Sequence, residues 1–166
     1  MPRRGGWVGQ YLAAKPKNAE RVITLATQLK TILAQKTHHT DAGEPYKAAM
    51  RVALLSYEIG ITPCWNCKSG KDRTGMLDVE LKREAAAVYA GKAGNGIGML
   101  DAEGQRLMQA VLLNSGNLEI QRYNTGLTGN KVLNKKPADA IVGLSMRKRI
   151  GDAADKGAGL SILAVS

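Results

Sequence analysis

Hydrophobic residues recur every three or four positions in several segments of the chain, which is the spacing of an amphipathic α-helix. One such segment runs from residue 18 to residue 36, where Asn18 is a candidate N-cap. The same spacing predicts four further helices, over residues 45–60, 74–90, 101–114 and 139–150. In the 74–90 helix the residues predicted to face inward are Met76, Leu77, Leu81, Ala85, Val88 and Tyr89.

Two short segments favour β-structure instead. Residues 61–67 are mostly β-favouring and too few for a helix, and Pro63 restricts them to an edge strand or the start of a strand. Residues 118–123 predict a short strand within a loop rich in Asn, Gly and Thr. The order of strand, Gly-containing loop and helix around residue 67 predicts a helix-rich α/β fold. Because few strands are visible, its sheet is expected to be incomplete.

The length and composition fit one globular domain. The chain has 166 residues, 44% hydrophobic and 23% charged, and lacks Phe, so the core is predicted to be aliphatic. Two cysteines exclude a disulfide-rich scaffold. No apolar stretch reaches transmembrane length and the first residues lack the apolar core of a signal peptide, so a soluble protein is expected. A single domain over 1–166 is predicted, with a basic N-terminal segment (1–17) and a tail (153–166) of unassigned role.

The net charge of +10 is concentrated in the two ends of the chain. Residues 1–60 carry nine Lys/Arg against four Asp/Glu, residues 121–166 carry eight against three, and the middle sixty carry seven of each. This distribution suits a partner such as an anionic membrane surface, bound peripherally, or an anionic substrate. A solvated basic surface without a partner is the alternative. Nucleic acid is not predicted, because no recognition motif is present and aromatic residues are sparse.

The candidate chemistry lies in residues 67–75, which read Cys-Lys-Ser-Gly-Lys-Asp-Arg-Thr-Gly. A loop at a helix N-terminus directs backbone N–H groups and the positive end of the helix dipole at an anion. Arg73 can bind two phosphate oxygens with its planar guanidinium. The same field lowers the pKa of a thiol, so Cys67 is predicted to be a nucleophile that forms a phosphocysteine.

The remaining residues of this loop have predicted supporting roles. Thr74 is expected to hydrogen-bond the sulfur and help it leave. Lys68 and Lys71 add positive charge that suits a substrate carrying several phosphates. Asp72 is predicted to protonate the leaving alkoxide, or to cap the following helix, and both roles are compatible. The predicted substrate-binding residues are Lys68, Ser69, Gly70, Lys71 and Thr74.

Residues 67–75 resemble the active-site loop of the cysteine-dependent phosphoinositide phosphatases. Among these, the similarity is greatest to the mammalian inositol polyphosphate 4-phosphatases and to the bacterial type III secreted effectors of the SopB/IpgD family. The resemblance to the effectors covers residues 46–152, and it is carried outside the loop by residues 63–66, 74–76, 82–84, 113–121, 124–126, 129–132 and 149–152.

This resemblance implies a phosphatase that acts on phosphatidylinositol phosphates and inositol polyphosphates without a metal or other cofactor. It implies Cys67 as the nucleophile, Arg73 as the phosphate binder and Asp72 as the acid, on the fold of a C-x5-R cysteine phosphatase. It also implies a secreted virulence effector that acts at the inner membrane leaflet in the host cytoplasm. The chain resembles the catalytic C-terminal portion alone, so a secretion chaperone is not an expected partner.

Several alternatives remain open at the level of sequence. The same loop could serve a protein tyrosine or dual-specificity phosphatase, and a shortened chain could bind phosphoinositides without hydrolysing them. Cys64 and Cys67 form a C-x-x-C pair, but the βαβ pattern of redox proteins is absent. His38 and His39 lack the ligand spacing of a zinc site. Four Asn residues are predicted to satisfy turns, with lining of the pocket as the alternative: Asn114, Asn117, Asn124 and Asn130.

Overall fold

A computed structural model of the protein describes residues 5–39, 44–67, 72–92, 100–126, 129–133 and 146–151, together with residues 154 and 157. Within these ranges the α-helices are α1 (Gly6–Ala13), α2 (Ala19–Ala34), α3 (Lys47–Glu58), α4 (Asp72–Tyr89), α5 (Ala102–Asn114) and α6 (Asn117–Thr125). Short 3-10 helices span Thr37–His39 and Lys131–Leu133, and residues 146–150 are helical. None of the described helices has the length and apolar content that crossing a membrane requires.

The prediction of an α/β fold with a strand–loop–helix core is wrong. No strand occurs in the described part of the chain, and residues 61–67 approach α4 without regular secondary structure. A strand completes its hydrogen bonds only against a neighbouring strand, and the described residues supply none. Pro63 also has no N–H to donate to a sheet. Local β preference in 61–67 therefore does not produce a strand, and within the described residues the predicted motif meets the start of a helix and no sheet.

The predicted strand at residues 118–123 is also wrong, because this segment forms the middle of α6. Gly116 lies just before the helix in the left-handed region, with φ of 78°, which glycine adopts without strain. Asn117 and Gln121 are separated by one helical turn and are both buried. This polar face is buried against α4, as described below. Helical spacing is what places the two side chains on one face, and their burial overrides the weak local preference for a strand.

The chain folds as two compact units, of which the first comprises Met1–Thr40 and Lys47–Trp65. Its core consists of Val22 and Leu25 from α2 with Leu55 from α3. Asn18 does precede α2 as predicted, but its side chain does not cap the helix. Instead it accepts a hydrogen bond from the Tyr11 hydroxyl at 2.8 Å and donates to the Glu58 carboxylate at 2.8 Å. This asparagine therefore joins α1 to the end of α3.

The second unit comprises Asp41–Tyr46 and Asn66–Ser166. Its core is a cluster from α4, α5 and the C-terminal part of the chain: Met76, Val79, Met108, Leu112, Leu133, Met146, Ile150 and Ala154. The predicted α5 is confirmed, and Asp101 caps it by accepting from the Gly104 N–H at 2.7 Å. Of the predicted 139–150 helix, residues 146–150 are helical and 139–145 lie outside the described residues. The tail contributes Ala154 to the core.

The predicted helix over 74–90 is confirmed as α4, which begins two residues earlier, at Asp72. Met76, Leu77 and Leu81 are buried as expected. Ala85, Val88 and Tyr89 are exposed, so their predicted inward orientation is wrong. The last buried residue of α4 is Ala87, and the two residues that end the helix are exposed.

Candidate active site

The site predicted from residues 67–75 centres on the N-terminus of α4. Asp72, Arg73 and Thr74 are the first three residues of this 18-residue helix. The N–H groups of a first helical turn have no partner within the helix, and the dipole places partial positive charge there. Arg73 is exposed and Asp72 is half-buried. This end of α4 can therefore present backbone donors, a guanidinium and a carboxylate to an anion.

Cys67 is held against this first turn by a main-chain hydrogen bond. Its backbone N–H donates to the Thr74 hydroxyl oxygen at 2.8 Å, across seven positions of sequence. The bond brings Cys67 next to the start of the helix. The prediction gave Thr74 a hydrogen bond to the sulfur. In the structure its oxygen accepts from the main chain of the same cysteine, and a hydroxyl that accepts one bond can still donate its proton to another group.

The four residues between Cys67 and Asp72 lie outside the described part of the chain. Lys68, Ser69, Gly70 and Lys71 therefore stay predicted substrate-binding residues. Both cysteines of the chain are among the described residues, and neither forms a disulfide. Cys64 is exposed and Cys67 is half-buried.

Asn130 contacts the same helix start from a distant part of the sequence. Its side-chain amide donates to the Asp72 carbonyl oxygen at 2.8 Å, and its side-chain oxygen accepts from the Val132 N–H at 2.9 Å. The second bond confirms the turn role predicted for this asparagine. The first bond was not predicted, because nothing in the local sequence indicates a partner 58 positions earlier.

Gly75 allows this close approach. A Cβ atom at position 75 would lie 2.7 Å from Asn117 Oδ1, 3.1 Å from Gln121 Nε2 and 3.4 Å from Asn130 Nδ2. Glycine is the residue without a Cβ, so it lets three buried amide side chains pack directly on α4. We call Asn117, Gln121 and Asn130 the amide cluster. The signal in the sequence was a glycine within a strongly periodic helix, which is unfavourable unless close packing requires it.

Deeper along α4, a buried ion network connects the helix to residue 149. The Arg149 guanidinium binds both oxygens of the Glu80 carboxylate, at 2.5 and 3.0 Å, and both side chains are fully buried. Arg83 pairs with Glu80 at 3.3 Å and with Glu84 at 3.2 Å. Among these four side chains the two positive and the two negative charges balance, and pairing lowers the cost of burying them in the low dielectric of a protein interior. The network fixes the body of the helix that carries the site.

No group of three or more His, Cys, Asp or Glu side chains in the described ranges is arranged to hold a metal ion. His38 and His39, whose spacing does not predict a zinc site, are both residues of the short 3-10 helix Thr37–His39 in the first unit.

Comparison with known proteins gives a consistent result over nearly the whole chain. Residues 1–158 match the family described as "Enterobacterial virulence protein IpgD". An inositol phosphate phosphatase SopB of Salmonella bongori is 54% identical over 150 residues, covering 90% of this chain and 36% of the relative. The SopB of Salmonella typhimurium is 54% identical over 151 residues, covering 90% and 27%. An inositol phosphate phosphatase IpgD of Shigella flexneri is 48% identical over 149 residues, covering 89% and 28%.

Proposed function

We propose an enzymatic function from one premise: the chain belongs to the IpgD family of enterobacterial virulence proteins. The proposed reaction is removal of a phosphate from phosphoinositides or inositol polyphosphates through a phosphocysteine intermediate. The relatives named above are inositol phosphate phosphatases, and this chain spans 27% to 36% of their length. The observation that carries the proposal is the closure of Cys67 onto the first turn of α4.

In the first step the Cys67 thiolate attacks phosphorus. A sulfur–phosphorus bond forms while the bond between phosphorus and the inositol oxygen breaks. The Asp72 carboxylic acid gives its proton to that oxygen, which leaves as an alcohol. Arg73 and the N–H groups of the first turn bind the remaining phosphate oxygens, whose charge is spread widely in the transition state.

In the second step a water molecule attacks the phosphocysteine. The Asp72 carboxylate, now deprotonated, takes a proton from the water. The sulfur–phosphorus bond breaks, inorganic phosphate is released and the thiolate is restored. A hydrogen bond donated by the Thr74 hydroxyl stabilises the departing sulfur anion, and the 2.8 Å bond from the Cys67 N–H keeps the two residues together.

The proposed substrates carry several negative charges. Lys68 and Lys71 flank the loop, and the net charge of +10 favours association with anionic lipid. We propose that the chain acts at the surface of a host membrane, on its cytoplasmic leaflet, as part of a secreted effector. A polyphosphorylated inositol ring carries more negative charge than a singly phosphorylated protein side chain, so it complements these positive charges better.

The test compares two serine variants three positions apart. Phosphate release from short-chain phosphoinositides and from inositol polyphosphates is measured for the native chain, Cys67→Ser and Cys64→Ser. We expect Cys67→Ser to lose turnover and Cys64→Ser to keep it, and rapid quenching to trap phosphate on residue 67. Equal release by native chain and Cys67→Ser contradicts the proposal.

The same experiment separates the two alternatives. Retained binding to phosphoinositide vesicles with no release of phosphate from any substrate would indicate a binding module. Preference for a phosphotyrosine peptide over inositol substrates would indicate a protein phosphatase. Either result would replace the proposed function.

A further inference from the structure

Asn130 lies at the junction of three segments of the second unit and is 1% exposed. Its side-chain amide donates to the Asp72 carbonyl, its side-chain oxygen accepts from the Val132 N–H, and its own N–H donates to the Gly157 carbonyl at 3.0 Å. Bonds to both the main chain and the side chain leave this residue little freedom. Its amide therefore holds the Asp72 carbonyl in a fixed direction.

The peptide unit that Asn130 holds also contains an N–H group that is proposed to donate a hydrogen bond to phosphate. The Asp72 carbonyl and the Arg73 N–H belong to one planar trans peptide, so they point in opposite directions. In a helix the carbonyl points toward the C-terminus and the N–H toward the N-terminus. A bond that restrains the carbonyl thus restrains the direction of the Arg73 N–H, which belongs to the first-turn donors that have no partner within the helix.

Asn117 has a comparable environment but a different partner. It is 4% exposed, belongs to the same amide cluster on Gly75, and donates to the Asp78 carboxylate at 2.7 Å. Asp78 is six positions after Asp72 and lies beyond the first turn of α4. Asn117 therefore shares the packing of Asn130 without its contact to the peptide that faces the anion.

We infer that Asn130 is a positioning residue for phosphate transfer, which it serves by orienting the Arg73 N–H through the Asp72 carbonyl. The inference rests on the proposed function. Oxyanion donors accelerate a reaction when they are already aimed at the charge that develops in the transition state. The Asp72 carbonyl also accepts the Met76 N–H within α4. Loss of the Asn130 amide therefore leaves every group of the proposed mechanism in place but removes one of the two bonds that orient this peptide. The expected effect is therefore on kcat rather than on KM.

The test uses Asn130→Ser and Asn117→Ser. Serine at position 130 can still accept from the Val132 N–H, as in an ST turn, but is too short to reach Asp72. We expect Asn130→Ser to lower kcat by about 10- to 100-fold, with KM changed by less than about threefold. Orthovanadate, which mimics the transition state, should bind more weakly by a similar factor. Asn117→Ser should lower the melting temperature comparably while keeping kcat and vanadate affinity near native values.

A second variant keeps the inference testable if Asn130→Ser does not fold, and the vanadate-binding measurement keeps it testable if the native chain shows no turnover. Should Asn130→Ser fail to fold, Asn130→Asp preserves the size and the acceptor while removing the donor, and the same loss of kcat is expected. Equal kcat losses in the two serine variants would overturn the positioning role and leave the phosphatase standing. A native chain that binds vanadate without any turnover, and loses that binding in Asn130→Ser, would overturn the phosphatase and the role in transfer, and would leave Asn130 as a residue that orients an anion-binding donor. A native chain that binds no vanadate overturns both.

Discussion

Gly75 is the residue at which helix preference and tertiary packing conflict most directly. Alanine at an interior helix position is ordinarily more favourable than glycine by about 1 kcal/mol. At position 75 the added methyl would lie 2.7 Å from Asn117 Oδ1, which is closer than the two atoms can approach. The amide cluster or the helix must then move, and overpacking of this kind costs about 1–3 kcal/mol.

We therefore expect Gly75→Ala to lower the free energy of unfolding, measured by urea denaturation, although helix preference alone predicts an increase. The matched comparison is Gly75→Ala in an Asn117→Ala background, where the nearest atom is gone. The alanine should cost less there, since the remaining neighbours, Gln121 Nε2 and Asn130 Nδ2, are farther away at 3.1 and 3.4 Å. An equal cost in both backgrounds would show that Asn117 does not limit the size of residue 75.

The residues of the site differ in how far the sequence can predict them. Cys67, Asp72, Arg73 and Thr74 are neighbours in the chain, and the chemistry of a helix N-terminus suggests a role for each. Their roles stay predictions. Asn130 contacts Asp72 across 58 positions, and only the fold brings the two together. A single sequence contains no periodicity or spacing that encodes such a contact.

At the scale of elements, α4 has an N-terminus at which the candidate active site lies and a middle section that carries buried ion pairs. Removing one partner of a buried ion pair leaves an uncompensated charge, which costs about 3–5 kcal/mol. Both Arg149 and Glu80 are fully buried, so neither can turn to water without the helix moving. The exposed pair of Lys82 with Asp78, at 2.7 Å on the same helix, lacks this constraint.

We expect Arg149→Met to reduce the free energy of unfolding by about 3–5 kcal/mol. Lys82→Met should reduce it by about 0–1 kcal/mol, because solvent screens that pair. Chemical denaturation of both variants against the native chain measures the difference. Similar small losses in the two variants would mean that Glu80 finds adequate compensation from Arg83 alone.

The predicted elements succeeded where the apolar period extends over several turns. The helices α2, α4 and α5 satisfy this condition. The errors concern short segments, 61–67 and 118–123, whose β preference found no partner strand in the described chain. A segment forms a strand only when a second segment pairs with it. The formation of α6 likewise depends on α4, against which its buried polar face packs. Local sequence does not contain that information.

For the molecule as a whole, the excess of positive charge predicts adsorption to anionic membranes. Each Lys or Arg near such a surface contributes about 1 kcal/mol, and the attraction acts over roughly 10 Å at 0.1 M salt. The net charge of +10 is large for 166 residues. Screening by salt should therefore weaken binding strongly.

We expect the chain to sediment with vesicles that contain phosphatidylserine and a phosphoinositide, and to be released as salt is raised from about 0.1 to about 0.5 M. Vesicles of phosphatidylcholine alone provide the neutral control. Binding that is equal on neutral and anionic vesicles would contradict an electrostatic interaction with the membrane. The result concerns the partner surface and is independent of turnover.

The packing of Gly157 sets a practical limit on how far the C-terminus can be trimmed or altered. A Cβ atom there would meet Leu112 Cδ2 at 2.6 Å and Leu133 Cδ1 at 2.8 Å, so even alanine does not fit as the side chains stand. Shortened versions that stop ahead of Ala154 would uncover the core at Leu133 and remove the carbonyl that accepts the Asn130 N–H. Affinity tags and fusion partners are thus better joined downstream of residue 157, since Gly157 is linked through Asn130 to the first residue of α4.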